Sequence, residues 1–302
     1  MSGADPGEHP DERRSGLLYG FTAYLLWGVF PFFFVAVKPA GAWEILGQRI
    51  AWTFVVCVLV LLLRRDWSWL GPVVRRPRLL AGLSVAALLL AGNWVVYVNA
   101  VVTDHTSEAA LGYFLNPLLT VALGVLVLRE RLRRMQWLAV GIGGFAAGFL
   151  TLVAGTVPVT ALTLAVSFAL YGLVKNRVGA RLAALHGLTI ESGVLVPIAL
   201  ALLLPLAGTL GSTFATEGLG HAGLLVASGP VTAAPLLLFA AAARRIPLVS
   251  IGLLQFLTPV MQLLAAVVLG EHVSPARWVG FGIVWVALLV LTVDTLRHRP
   301  AR

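Results

Sequence analysis

A chain of 302 residues that is 59% hydrophobic and only 12% charged, with a mean hydropathy of +0.92, lies far from soluble domains, which average roughly 45 to 50% apolar and 25% charged residues. Its net charge of +9 does not make a nucleic-acid surface, because the basic residues stand in short clusters between apolar runs with no aromatic-laced basic face. The composition is that of a membrane protein partnered by the lipid bilayer, and the single cysteine, Cys57, excludes an internal disulfide and a cysteine-based metal site.

Residues 1–15 are polar and mixed in charge, unlike the basic start of a secretory signal, and are expected to form a disordered cytoplasmic tail. Apolar runs of helix-spanning length, roughly 20 residues each, then follow at about 17–37, 44–63, 79–102, 108–128, 137–155, 158–178, 186–206, 222–242, 248–269 and 277–294. With the N-terminus inside, 19 of the 22 basic residues fall in inward loops and tails, so the charge bias predicts both termini to be cytoplasmic.

The runs divide into two copies. The stretch from Glu108 to Thr151 returns about 142 residues later: Asn116-Pro117 becomes Thr258-Pro259, Arg129-Glu130 becomes Gly270-Glu271, Trp137 becomes Trp278 and Gly141 becomes Gly282. Leu26-Trp27-Gly28 likewise matches Leu170-Tyr171-Gly172, and Arg49 matches Glu191. The expected fold is therefore an all-α membrane protein of ten transmembrane helices, in two five-helix repeats at 16–155 and 156–294 with a cytoplasmic tail at 295–302. Five is odd, so the second repeat enters the membrane inverted, an arrangement typical of secondary transporters with a central site between the halves.

Ionisable groups inside spans are functional candidates by default, because placing them there costs roughly 2.5 to 3.5 kcal/mol on insertion scales. Arg49 and Glu191 are the sharpest pair, and Glu191 is the proton-coupling candidate, since no other acid lies so deep in a run. A direct bridge between them would need tilted or broken helices; the alternative for each is a structural ion pair or a snorkelling side chain. Asn93, Tyr97, Ala100 and Asp104 share one face of span three, Glu108, Gly112 and Asn116 one face of span four, and Gln255, Thr258 and Gln262 one face of span nine. Such faces line a cavity or hydrogen-bond between helices. Pro117 and Pro259 are expected to kink spans four and nine. Lys175 aligns with Pro31 of the first half, but Asn176 and Arg177 after it favour a cytoplasmic anchor. Gly141, Gly144 and Gly148 permit close helix approach, within the protomer or in a homodimer.

Catalytic signatures are missing. The six histidines never fall at metal-ligand spacing, and no nucleophile elbow or phosphate loop occurs. Neither an enzyme nor a cofactor or metal site is expected.

The segments ILGQRIAW from Ile45, GNWVVYVNAV from Gly92, EAALGYFLNPL from Glu108, ERLRRMQWLAV from Glu130, YGLVKNR from Tyr171 and the long stretch from Val231 through Pro259 closely resemble RarD proteins, of the EamA branch of the drug/metabolite transporter superfamily. The resemblance spans nearly the whole chain and departs at Gln48 and at Lys175-Asn176. It implies a ten-helix inner-membrane permease with two EamA repeats, in a family whose name is tied to chloramphenicol sensitivity. The expected function is secondary transport of a small amphiphilic metabolite or drug, with Arg49, Asn93, Tyr97, Glu108, Asn116, Tyr171, Glu191 and Gln255 along the pathway. A non-transporting scaffold or passive channel is the rival.

Overall fold

Inside a bilayer no water satisfies the backbone, so an apolar run must close its hydrogen bonds within itself as a helix. The computed structural model describes residues 10–102, 106–154, 159–179, 182–208, 211–268 and 275–297, and among these every regular element is helical. In chain order they are α1 (Pro10–Gly28), α2 (Phe30–Ala36), α3 (Ala42–Arg64), α4 (Leu70–Val74), α5 (Pro77–Val102), α6 (Thr106–Val127), α7 (Arg134–Ala154), α8 (Val159–Gly179), α9 (Ala184–Gly208), α10 (Thr213–Thr216), α11 (Gly218–Ala243), α12 (Leu248–Leu254), α13 (Leu257–Val268) and α14 (Pro275–Arg297).

Six stretches among the described residues are long and apolar enough to cross a membrane: Asp11–Ala36, Ala42–Arg64, Pro77–Tyr97, Val159–Val178, Ala184–Ala207 and Gly218–Ala243. They coincide with the first, second, third, sixth, seventh and eighth predicted runs. Leu115–Val127 and Trp278–Ala287 are shorter apolar helices. Large apolar side chains stand exposed on the outer faces, Leu63, Leu126, Leu152 and Leu219 among them, as lipid contact requires.

Helix α1 starts at Pro10, inside the stretch expected as a tail. Asp11 and Glu12 in its first turn complement the helix dipole, and Gly16 packs against Arg245 and Ile246. Helix α14 likewise runs on to Arg297. The two expected proline kinks take different forms. Pro117 lies inside the continuous helix α6, whereas the ninth run breaks at Gln255-Phe256 between α12 and α13. Pro259 has no N–H to offer the Gln255 carbonyl, and its ring opposes a helix continuing there.

Helix α3 packs between α9 and α11, α8 against α5 and α6, and α1 along α11 and α13. Gly229 of α11 allows a close approach of backbone to backbone: a Cβ there would lie 2.6 Å from the Trp52 backbone of α3. Where α1, α8 and α11 converge, Tyr24 and Trp27 meet Phe168 and Tyr171 around Phe239. Trp27 and Phe168 are edge to face at 5.7 Å, and Tyr171 stacks on Phe239 at 5.5 Å. A Cβ added at Gly141, Gly144 or Gly148 would meet nothing within 4 Å among the described residues; the glycine of that helix that permits close packing is Gly143, against Phe256.

Candidate functional site

Helix α8 carries Tyr171 and Lys175 one turn apart, and α9 carries Gly187 and Glu191 at the same spacing. The two faces meet, and Lys175 Nζ lies 2.7 Å from Glu191 Oε1 with both side chains sealed from solvent, 5% and 1% exposed. Tyr171, wholly buried, is the carboxylate's second neighbour. The expectation of a cytoplasmic anchor at Lys175 is thus overturned. Arg177 is the residue that surfaces, and two steps along an α-helix turn about 200° around its axis, so Lys175 points inward. Asn176, between them, ties α8 to the α11–α12 turn by donating to the carbonyls of Ala243 and Ile246.

Arg49 has different company. Its Nε donates to Thr232 Oγ1 at 2.9 Å, and its guanidinium lies over the rings of Trp94, Phe34 and Phe30, at 4.7, 5.5 and 5.6 Å from their centroids. Arginine is suited to this because its flat, weakly hydrated cation stacks on aromatic faces. The structure therefore does not join Arg49 to Glu191: the two residues bind separate partners.

Of the remaining candidates, Tyr97 lies near Arg49, and the others make separate contacts. Asn93 donates to Leu164 O and Ser167 Oγ at 2.8 and 2.9 Å, an interhelical bond from α5 to α8. Tyr97 meets Tyr113 edge to face at 6.1 Å. Asn116 is buried, and its Oδ1 finds no donor among the described residues. Gln255 accepts from Thr120 Oγ1 at 3.1 Å where the ninth run breaks. The side chains of Glu108 and Gln262, and Asp104 altogether, lie outside those described.

Three features escaped the sequence reading. A polar cleft of about 320 Å³ opens at the end of the molecule where α1 begins and α8 and α11 finish, lined by Glu12, Arg13, Glu130, Asn176, Arg244 and Arg245 with Ala243, Ile246 and Pro247. A second, narrow recess of about 10 Å³ is lined by Lys175, Gly187, Leu83, Val178 and Ala240 among others, and Arg244 lines both. Third, Glu130 caps α12, accepting the N–H groups of Leu248 and Val249 at 2.8 and 2.7 Å. The paired i, i+4 spacings of Tyr171 with Lys175 and Gly187 with Glu191 were the available signal for the charged pair.

Apolar helices of membrane-crossing length around a sealed ion pair define a multi-pass membrane protein, and residues 14–152 match the EamA-like transporter family. The chain is 47% identical to Protein RarD of Streptomyces exfoliatus over 95% of its own length and 91% of that protein's, and 38% identical to Protein RarD of Escherichia coli K12 over 94% and 96%. It belongs to the RarD family of EamA-like transporters. A solved crystal structure with 21% identity superposes at a TM-score of 0.68 over 92% of this chain and 98% of its own, which shows the shared fold alone.

Proposed function

We propose that the protein is a proton-coupled secondary carrier, moving a small amphiphilic metabolite or drug across the bacterial inner membrane by alternating access. Its ten spans form two inverted five-helix repeats with both termini cytoplasmic, and Glu191 exchanges the coupling proton. Arg49 holds an anionic group of the cargo, while Asn93, Tyr97, Glu108, Asn116, Tyr171 and Gln255 line the pathway. Chloramphenicol belongs among the cargo candidates because of the phenotype tied to the family's name.

The observation that carries this reading is the Lys175–Glu191 pair. Two ionised groups buried between α8 and α9 are costly in an apolar bundle, and no apolar packing role requires them. A carboxylate held by one ammonium is a group whose protonation changes what the helices around it can bind.

The test is flux into proteoliposomes, with and without a pH gradient, for labelled amino acids, aromatic metabolites and chloramphenicol. Wild type is compared with Glu191→Gln, in which the amide still offers Lys175 an acceptor. Saturable, gradient-driven uptake that collapses in the variant is expected. Uptake indifferent to both the gradient and the variant would refute proton coupling through Glu191.

A further inference from the structure

The polar cleft and the narrow recess share Arg244, and Lys175 is among the residues that line the recess. Arg244 thus stands at the cleft and at the cavity that borders the buried ion pair. Arg13, Arg244 and Arg245 bring three cations to the cleft. Two carboxylates, Glu12 and Glu130, face them, which leaves the lining side chains one positive charge in excess; Glu130 is turned toward the Leu248 and Val249 N–H groups. Arg245 is held in place by its bond to Ala241 O at 2.9 Å and by the Tyr19 ring beneath it, 5.3 Å away. Partial burial, followed by the like charge of Arg245, pulls the Arg244 guanidinium below its ordinary value, with Glu12 acting in the opposite sense. These are the marks of a cationic funnel that concentrates anions.

We propose that cleft and recess are one vestibule for an organic anion, with Lys175 as the charge that receives it and Glu191 as the counter-ion it displaces. This rests on the carrier reading above and names its substrate class. The recess as seen is no larger than a single water needs, so the pair is closed. Gly187 is the wall position beside the pair: a Cβ there would lie 3.4 Å from Lys175 Nζ and 4.0 Å from Glu191 Oε1. When α8 and α9 part, a proton delivered as hydronium from the bulk aqueous phase binds the Glu191 carboxylate, the Nζ to Oε1 bond breaks, and the incoming anion accepts from Nζ in its place. The pair is neutral beforehand, as ammonium with carboxylate. The loaded site is neutral too, as ammonium with substrate anion beside a carboxylic acid, so one proton and one monoanion travel together.

A tethered anion tests this without knowledge of the cargo. In a Cys57→Ala background, Gly187→Cys is the only thiol, and its reaction rates with sulfonate-bearing, trimethylammonium-bearing and uncharged methyl methanethiosulfonates are compared in the full-length protein in nanodiscs. The sulfonate reagent is expected to react about tenfold or more faster than the cationic one. Arg244→Gln with Arg245→Gln should bring the ratio near unity without changing the uncharged rate, and Glu12→Gln should raise the ratio. Once attached, the sulfonate lies beside Lys175. Infrared difference spectra should then show a protonated carboxyl band that the uncharged label does not produce and that Glu191→Gln abolishes.

Ala183→Cys, at the recess wall, repeats the rate comparison if the glycine variant does not fold. A faster cationic reagent, equal rates, no reaction of the uncharged reagent at either position, or no carboxyl band would each overturn the proposal. These readouts need no flux, so the vestibule can fail while the carrier reading stands, and the reverse.

Discussion

Lys175 Nζ donates to Glu191 Oε1 at 2.7 Å, and the pair joins two consecutive helices at a depth that solvent does not reach. Each charge is tolerated there because of the other. Removing one partner strands the other in apolar surroundings, at a cost of about 3 to 5 kcal/mol.

Glu191→Ala is therefore expected to destabilise the detergent-solubilised protein by that order, read by tryptophan fluorescence on heating. Lys175→Met with Glu191→Leu should recover most of the loss, because the buried charge is gone, yet remain transport-dead. A double variant as unstable as the single one would show that the two charges do not compensate each other.

Glu130 holds both leading N–H groups of α12, linking the charged corner after α6 to the entry of the ninth run. Glu130→Ala should cost about 0.5 to 2 kcal/mol, as for loss of a helix cap. Hydrogen exchange at Leu248 and Val249 is expected to accelerate before that of the α11 core. Unchanged protection at those two amides would remove the capping role.

Gly229→Ala should be among the most damaging of the small-to-larger changes. Its Cβ would meet the Trp52 carbonyl carbon and oxygen at 2.6 Å, and backbone cannot rotate aside; overpacking of this kind costs about 1 to 3 kcal/mol. Gly141→Ala and Gly144→Ala, whose Cβ would meet nothing within 4 Å among the described residues, should be neutral or gain up to about 1 kcal/mol from helix propensity. Thermal midpoints of the three variants decide it. A loss at Gly141 or Gly144 would place a partner on that face, such as a second copy of the chain.

Arg49→Lys keeps the charge but loses the flat cation that lies over Trp94, Phe34 and Phe30 and donates from Nε to Thr232. A loss of about 1 to 2 kcal/mol is expected. Measured against Thr232→Val, which removes only the hydrogen bond, the difference isolates the ring contacts. Equal losses in the two variants would show that the rings contribute nothing beyond packing.

Much of the site was visible as residues and little of it as pairs. Arg49 and Glu191 stood out because a charged residue in an apolar run is conspicuous wherever it lies, and their internal symmetry invited joining them. Lys175 was set aside because polar neighbours in sequence suggested a helix leaving the membrane. Asn93 was read equally as cavity lining or as an interhelical bond, and its partners on α8 fit the second.

By itself the sequence determined the class of the protein, the positions of its apolar runs and the family, since each of these depends on composition and order along the chain. Only the tertiary structure decided who pairs with whom. Hydropathy constrains where a helix lies along the chain but not how it is rotated, and rotation alone separates Lys175, turned onto Glu191, from Arg177 at the surface. The same is true of the arginine-lined cleft, whose walls come from α1, α8 and the α11–α12 turn and which no single stretch of the chain contains.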